Sequence, residues 1–389
     1  MNPAEPSSNF RPGLNGVIAT ETHLSHVDGQ NGNLVIAGYE ADNLARHASF
    51  EEAAYLLWTG KRPTKEANIS FRQSWKETTR SSWTTWSKIE PFIETFQGNI
   101  MESIRVYIAS LQARDTLKPN KEQWIQDALS ITSAFSVGTA AAWRKGQKQT
   151  PIPPDPNMDH VSNFLYMLQG EYPTPKAVDA LKRYLLTVLD HGLNASTFTA
   201  RVIAGTRSDL VSTALGAFGA LKGPLHGGAP GPVLEMIQEI GTKDRAEPYL
   251  RNLLESGNRI MGFGHRIYRV RDPRADILAE AAETFYESEN TSSDFYELAM
   301  HVERTALQLL AETKPDRSIK TNVEFYTALL LNGIGIPSQL FTPLFAVGRV
   351  VGWLAHVMEQ LEDPRIIRPD SRYIGPFHGS WLKDSKEKR

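Results

Sequence analysis

Apolar residues recur at helical spacing over most of the chain, and the residues between these runs mark where each helix starts and stops. Ser49-Phe-Glu-Glu52 reads as a capping box followed by Ala53, Ala54, Leu56 and Leu57, with Gly60 and Pro63 ending that helix. Thr174-Pro175 reads as an N-cap with Pro at the first helical position, leading into Ala177–Leu189. Ser208 is the expected cap of Asp209–Leu221. In Asp294–Lys314 the apolar positions Leu298, Val302, Ala306, Leu309 and Leu310 share a face, and Pro337 precedes a long apolar helix running towards Leu361. Only the opening of the chain reads as β: Val17–Leu24 and Leu34–Ile36 flank the turn-rich Asp28-Gly-Gln-Asn-Gly-Asn33 and predict a small hairpin. Strand patterns all but vanish after residue 40, so the predicted class is all-α with a short N-terminal β-hairpin. Segment 149–157, with four prolines, reads as a loop between helices, residues 286–294 as a surface turn, and no internal repeat is visible.

The most apolar long window, Leu340–Met358, is interrupted by Arg349 and His356. A membrane span needs about 20 residues with few charges, so a buried helix and no membrane are expected. With 389 residues, and about 100–200 per domain, two units or one domain with an insertion are expected. The net charge of −2 argues against a nucleic-acid partner, so any anion site must be a local cluster of Arg and Lys. There are no cysteines, which excludes disulfides, thiolate catalysis and Cys-ligated zinc. Met1–Pro12 is polar and lacks the apolar run of a signal peptide, and the terminal Lys-Glu-Lys-Arg matches no organelle address, so a cytoplasmic location is the expectation.

Four segments break the helical monotony: Asp190-His-Gly-Leu-Asn194, Gly223-Pro-Leu-His-Gly-Gly-Ala-Pro230, Gly262-Phe-Gly-His-Arg266 and Thr321-Asn-Val-Glu-Phe-Tyr326. His226 lies among glycines that let a backbone approach a ligand, just ahead of the helix expected over Gly231–Ile240; a plain Gly-rich turn with a hydrogen-bonded His is the alternative. His265 opens a basic run of Arg266, Arg269, Arg271 and Arg274, which suits carboxylate or phosphate, or else a solvated basic face. Asp272-Pro273 reads as a turn that aims Arg274 away from the other three. Glu324 sits in an apolar segment, either as a paired structural acid or as a desolvated base. No metal site is expected: none of the ten His falls in a His-Glu-x-x-His pattern or an i,i+4 pair.

The ordered set of motifs resembles the citrate synthase family, in its short bacterial or archaeal type, from about residue 13 to 375. It comprises Lys222-Gly-Pro-Leu-His-Gly-Gly-Ala229, Met261-Gly-Phe-Gly-His-Arg-Ile-Tyr268, Asp272-Pro-Arg274 and Asn322-Val-Glu-Phe-Tyr326, then Gly348-Arg-Val-Val-Gly-Trp353, Glu359-Gln360 and Arg368-Pro369. The resemblance implies an all-α homodimer. Its large domain would be 1–226 and 334–389, with a small domain, 227–333, inserted and a cleft between them that closes on substrate. It implies condensation of acetyl-CoA with oxaloacetate, with the CoA thioester as substrate and no permanently bound cofactor. Position by position, Glu324 matches the base, His226 the donor to the thioester oxygen, and His265 the donor to the oxaloacetate carbonyl. His191, Arg274 and Arg349 match the oxaloacetate cradle, with Arg368 reaching in from the other subunit. Gly262, Phe263 and Gly264 match the CoA adenine loop and Arg269 a CoA phosphate contact. Arg274 and Arg349 are expected to serve binding and to be dispensable for folding.

One departure stands out: the family's usual base is Asp, and here it is Glu324, whose carboxylate sits one methylene further out. A displacement of about 1 Å can cost about 100-fold in rate. Two other readings stay open: a 2-methylcitrate synthase using propionyl-CoA, and a CoA- or dicarboxylate-binding protein without turnover. An added methylene is worth only about 1–3 kcal/mol in an apolar pocket, so the motifs do not separate acetyl from propionyl.

Overall fold

The computed structural model describes residues 10–93, 99–114, 120–227, 230–264, 268, 270–289 and 293–377. Three short antiparallel strands, β1 (Ser25–Asp28), β2 (Asn33–Ile36) and β3 (Tyr39–Glu40), form a sheet in that order, with Ser25 opposite Ile36 and Asp28 opposite Asn33. The turn is where the sequence places it, because Asp28 Oδ1 accepts from the N–H groups of Gln30 and Asn31. The first predicted strand needs correction. Residues 17–24 are irregular, and side chains pin them instead: Arg201 donates to Thr20 Oγ1 at 3.1 Å and Glu359 accepts from His23 N at 2.8 Å.

Helices make up the rest. After α1 (Ala41–His47), α2 (Phe50–Thr59) begins with the expected capping box: Ser49 Oγ accepts from Glu52 N, and the Glu52 carboxylate accepts from Ser49 N. Gly60 ends it at φ +75°. Then follow α3 (Lys65–Ile93), α4 (Ile100–Ala109), α5 (Lys121–Gly146) and, beyond the proline loop, α6 (His160–Gln169). Thr174 caps α7 (Pro175–Thr187). After α8 (Ala195–Ala204), α9 (Leu210–Lys222) is capped not by Ser208 but by Asp209, whose carboxylate takes both the N–H and the hydroxyl of Ser212. The remaining helices are α10 (Pro230–Ile240), α11 (Lys243–Glu255), α12 (Pro273–Glu289), α13 (Ser293–Thr313), α14 (Val323–Gly333) and α15 (Phe341–Glu362). Two expectations are corrected here. Pro273 opens α12, where its missing N–H costs nothing, instead of completing a free turn; and the proposed surface turn 286–294 is helical up to Glu289 and again from Ser293.

At the centre lies α15, packed on α2, α5, α7, α8 and α9. It is long and apolar enough to cross a membrane, but 89% of its apolar window is buried inside the protein. A second set of contacts joins α12 to α14, α10 to α14 and α11 to α13, and α12 rests on α1 and α7. There Glu280 pairs with Arg46 of α1 and Arg183 of α7. Gly348 and Gly352, one turn apart on α15, let the end of α7 and the chain after it approach closely. A Cβ at 352 would sit 2.3 Å from the Leu189 carbonyl oxygen and 2.9 Å from Asp190 Oδ1. That approach sets the position of His191, so Gly352→Ala is expected to destabilise the fold by about 1–3 kcal/mol through overpacking. It should also raise the oxaloacetate KM. Urea unfolding and a KM measurement check both, and an unchanged pair of values would rule out the tight approach.

Candidate active site

Three separate turns bring the chemistry together around α15. The turn after α9 carries His226. It is closed by His226 N and Gly227 N donating to Gly223 O, and Thr342 on α15 donates to Gly227 O at 2.6 Å. Nε2 of His226 lies 2.8 Å from Ser196 Oγ on α8. That oxygen also accepts from Trp353 Nε1 at 3.0 Å and donates to Asn194 Oδ1 at 2.8 Å. Burial, and then the charge of Arg349, lower the His226 pKa, which leaves the ring neutral.

Glu324 occupies the first turn of α14, where Asn322 caps the helix by accepting Glu324 N at 3.0 Å. Asn322 is itself stitched to the glycine loop: its N–H donates to Gly262 O and its side chain to Gly264 O, both at 2.9 Å, while Gly264 N donates to Lys320 O. Gly262 and Gly264 adopt φ of +87° and +81°, where a side chain is strained, and Phe263 bridges Thr321. The carboxyl of Glu324 is held above the ordinary glutamate range by burial, opposed by the charge of Arg274 and assisted by that of Asp272.

The two arginines of the expected cradle are both buried. Arg274, on α12, pairs with Asp272 through Nε at 3.1 Å and a terminal nitrogen at 2.8 Å. Arg349, on α15, donates from Nε to Val188 O, and its guanidinium lies 4.6 Å from the centre of the Phe345 ring. Burial lowers its pKa to about 10; the Asp190 carboxylate opposes that and the Arg274 cation adds to it. His191, in the turn between α7 and α8, has Nε2 3.0 Å from the Tyr268 hydroxyl. Electrostatic coupling thus links His226 to Arg349, Arg349 to Arg274, and Arg274 to both Glu324 and Tyr268.

His265 and Arg269 lie outside the described residues. Arg368 is on the exposed stretch after α15, and among the described residues none of the other candidates is its hydrogen-bond or ion-pair partner. Several residues of this region were not singled out in the sequence. Ser196 and Trp353 hold His226. Arg259, Lys314, Arg317 and Lys320 line a cavity of about 870 Å³ together with Phe263, Gly264, Tyr268 and Asp272. The run Lys314-Pro-Asp-Arg-Ser-Ile-Lys320 carried a signal for that cluster, being three cations just ahead of Thr321. Arg259 carried none. Among the described residues, no group of three or more His, Asp or Glu could hold a metal ion.

Residues 13–370 match the family described as citrate synthase, C-terminal domain. The chain belongs to the citrate synthase family. It is 38% identical over 377 residues to the citrate synthase of Synechocystis, covering 96% of this chain and 93% of that one. It is likewise 38% identical to citrate synthase 2 of Bacillus subtilis, over 94% of this chain and 95% of that one. Among solved structures it is similar to the citrate synthase of Thermotoga maritima, at TM-score 0.81 and 34% identity over 97% and 98% of the two chains. It is also similar to the citrate synthase of Thermoplasma acidophilum, solved in a ternary complex with carboxymethyl coenzyme A and oxaloacetate, at TM-score 0.84 and 28% identity over 96% and 98% of the two chains. As a family member the chain is an enzyme of the acyltransferase class, catalysing the citrate synthase condensation on an all-α fold.

Proposed function

We propose that the cleft around α15 holds oxaloacetate between His191, Arg274 and Arg349 while Glu324 deprotonates the methyl group of acetyl-CoA. The observation that carries this reading is the buried Arg349 guanidinium, bonded through Nε to the Val188 carbonyl and electrostatically coupled to the buried Arg274. A buried cation whose side-chain bond goes to a neutral carbonyl suits an anionic ligand, and a dicarboxylate can offer one carboxylate to Arg349 and the other to Arg274. A proton moves from the acetyl methyl group to Glu324 as the thioester oxygen takes a hydrogen bond from His226. The resulting carbon nucleophile adds to the ketone of oxaloacetate, and His265, by its family match, protonates the new alkoxide. Water then cleaves the citryl thioester, giving citrate and CoA.

For His226 to donate from Nδ1, its Nε2 must accept. Ser196 can provide for this by turning its hydroxyl proton from Asn194 Oδ1 to His226 Nε2, since both lie 2.8 Å from Oγ. Gly262, Phe263 and Gly264 fit the adenine of CoA, and Arg259, Lys314, Arg317, Lys320 and Arg269 its phosphates, with CoA entering as substrate and leaving as product. Residues 227–333 would then move as a unit against the rest, closing the cleft.

The test is thiol release from acetyl-CoA and from propionyl-CoA in the presence of oxaloacetate. A higher kcat/KM with acetyl-CoA is expected. Propionyl preference would indicate a 2-methylcitrate synthase, and oxaloacetate binding without thiol release a protein without turnover. The matched relatives favour neither of these.

A homodimer is part of the same reading, supported by the exposed apolar side chains Ile366, Tyr373, Ile374 and Phe377 on the stretch that carries Arg368. The small residues of α9 divide between two roles. Ala214 and Ala217 are buried, and a Cβ at Gly216 would meet Ile203 at 2.1 Å, so these serve packing within the chain. Gly219 is open. Light scattering at assay concentration should give twice the chain mass, whereas a monodisperse active monomer would refute the pairing.

A further inference from the structure

Asp190, Arg201, His356 and Glu359 form a line of polar groups behind the oxaloacetate cradle, and the reaction outlined above uses none of them. His356 is fully buried in the mostly apolar α15. Its Nδ1 faces a terminal nitrogen of Arg201 at 3.0 Å. A guanidinium can only donate, so Nδ1 is the acceptor and the ring proton is on Nε2. That nitrogen lies 3.2 Å from Asp190 Oδ2. Arg201 is held in turn by Glu359 at 2.6 Å and Gln360 at 3.1 Å, so its donors are fixed and the tautomer of His356 with them.

Asp190 is fully buried. Its Oδ1 packs against Gly352 with no hydrogen-bond donor among the described residues, while beyond His356 the carboxylate has the Ser25 hydroxyl and a long 3.4 Å contact from Gly192 N. Asp190 is also the carboxylate whose charge reaches Arg349. His356 is therefore the ring that, together with the Ser25 hydroxyl, holds a carboxylate whose charge reaches the guanidinium in front of it.

We propose that His356 is a positioning residue for oxaloacetate: its Nε2–H holds Asp190 back, so that Arg349 stays available to the substrate carboxylate. This rests on the assignment of Arg349 to the oxaloacetate cradle. Without His356, a buried carboxylate lacking its donor takes the nearest cation, and Arg349 is withdrawn from the substrate. The N-terminal segment bears on the same device through the bond from Arg201 to Thr20.

The test compares His356→Phe, His356→Gln and the double variant His356→Phe/Asp190→Asn. His356→Phe is expected to raise the oxaloacetate KM at least tenfold and leave the acetyl-CoA KM within twofold. His356→Gln retains an N–H for Asp190 and should remain within threefold of the wild type. In the double variant the competing carboxylate is gone, so the oxaloacetate KM should return towards the wild-type value, a rescue that a purely structural role does not produce. The proposal is overturned if His356→Phe lowers only the thermal midpoint, if both KM values rise together, or if the double variant binds no better than the single one. Should His356→Phe fail to fold, a tenfold KM rise in His356→Gln is the overturning result and a value within threefold the supporting one. Calorimetric oxaloacetate binding on the same proteins keeps this separate from the assignment of the reaction: a wild type that binds oxaloacetate but releases no thiol sinks the reaction and still tests His356.

Discussion

Glu324→Gln is expected to lower kcat by about 100- to 10,000-fold, the range general acid–base catalysis contributes, with oxaloacetate binding retained. The amide is nearly isosteric with the carboxylate but cannot accept the methyl proton. A role as a purely structural acid makes a different forecast: breaking its coupling to Arg274 would destabilise the fold, and activity would fall only as stability fell. Stability separates the two with a definite sign. Burial raises the Glu324 pKa above its ordinary value, so the folded state binds the proton more tightly than the unfolded chain does. Below the unfolded value both states are protonated and there is no difference between them. Above the folded value the carboxylate is charged in both, and the native state carries the cost of keeping it desolvated. At pH 7 the Gln variant should therefore melt no lower than the wild type, and any gain should fade as the pH falls into the ordinary glutamate range. A folded Gln variant with wild-type kcat would end the assignment of Glu324 as the base. Glu324→Asp adds a second comparison. A faster Asp variant would mean that the longer side chain is tolerated in a site shaped for Asp; a slower one, that the backbone of 262–264 and 320–324 has adapted to Glu.

Local signals were legible in the sequence wherever a short-range rule decides the outcome. The Ser49 capping box, the Thr174-Pro175 start and the turn after Asp28 all depend on residues within a few positions of one another. The errors lie where neighbours compete or where distant groups decide. Ser208 and Asp209 are both good caps, and Ser212 selects Asp209 by offering it two donors. Residues 17–24 have strand-like composition, but Arg201 and Glu359, far along the chain, take the Thr20 hydroxyl and the His23 N–H. In the site, the turns bearing His226 and Glu324 announced themselves through glycines and an acid in an apolar run. The residues that hold them did not. Ser196 is one more polar residue on α8 until Trp353 and His226 arrive at its hydroxyl, and His356 reads as a blemish in an apolar helix until Arg201 and Asp190 are placed beside it.

Arg349→Leu is expected to raise the oxaloacetate KM by about 10- to 150-fold, the equivalent of one charge-assisted hydrogen bond worth about 1.5–3 kcal/mol. It is a cleaner probe than Arg274→Leu, and here the expectation that both arginines are dispensable for folding is corrected. Asp272 is buried and paired with Arg274, so removing that arginine breaks a buried ion pair and is expected to lower the thermal midpoint. Arg349 stands differently. Its pKa is depressed to about 10, so at neutral pH, below that value, the folded state carries a cation it holds less readily than the unfolded chain would. Leucine removes that cation and loses one bond, from Nε to the Val188 carbonyl, worth about 1 kcal/mol. The two effects oppose each other, and the thermal midpoint without ligand should stay close to the wild-type value. With ligand the two proteins should diverge. Saturating oxaloacetate at 100 times its Kd stabilises the native state by about 2.7 kcal/mol, and the variant at the same concentration should gain little or none of this. If the Leu variant is stabilised by oxaloacetate as strongly as the wild type, Arg349 does not hold a substrate carboxylate, and the anion called for by the two buried guanidiniums must bind through Arg274 alone.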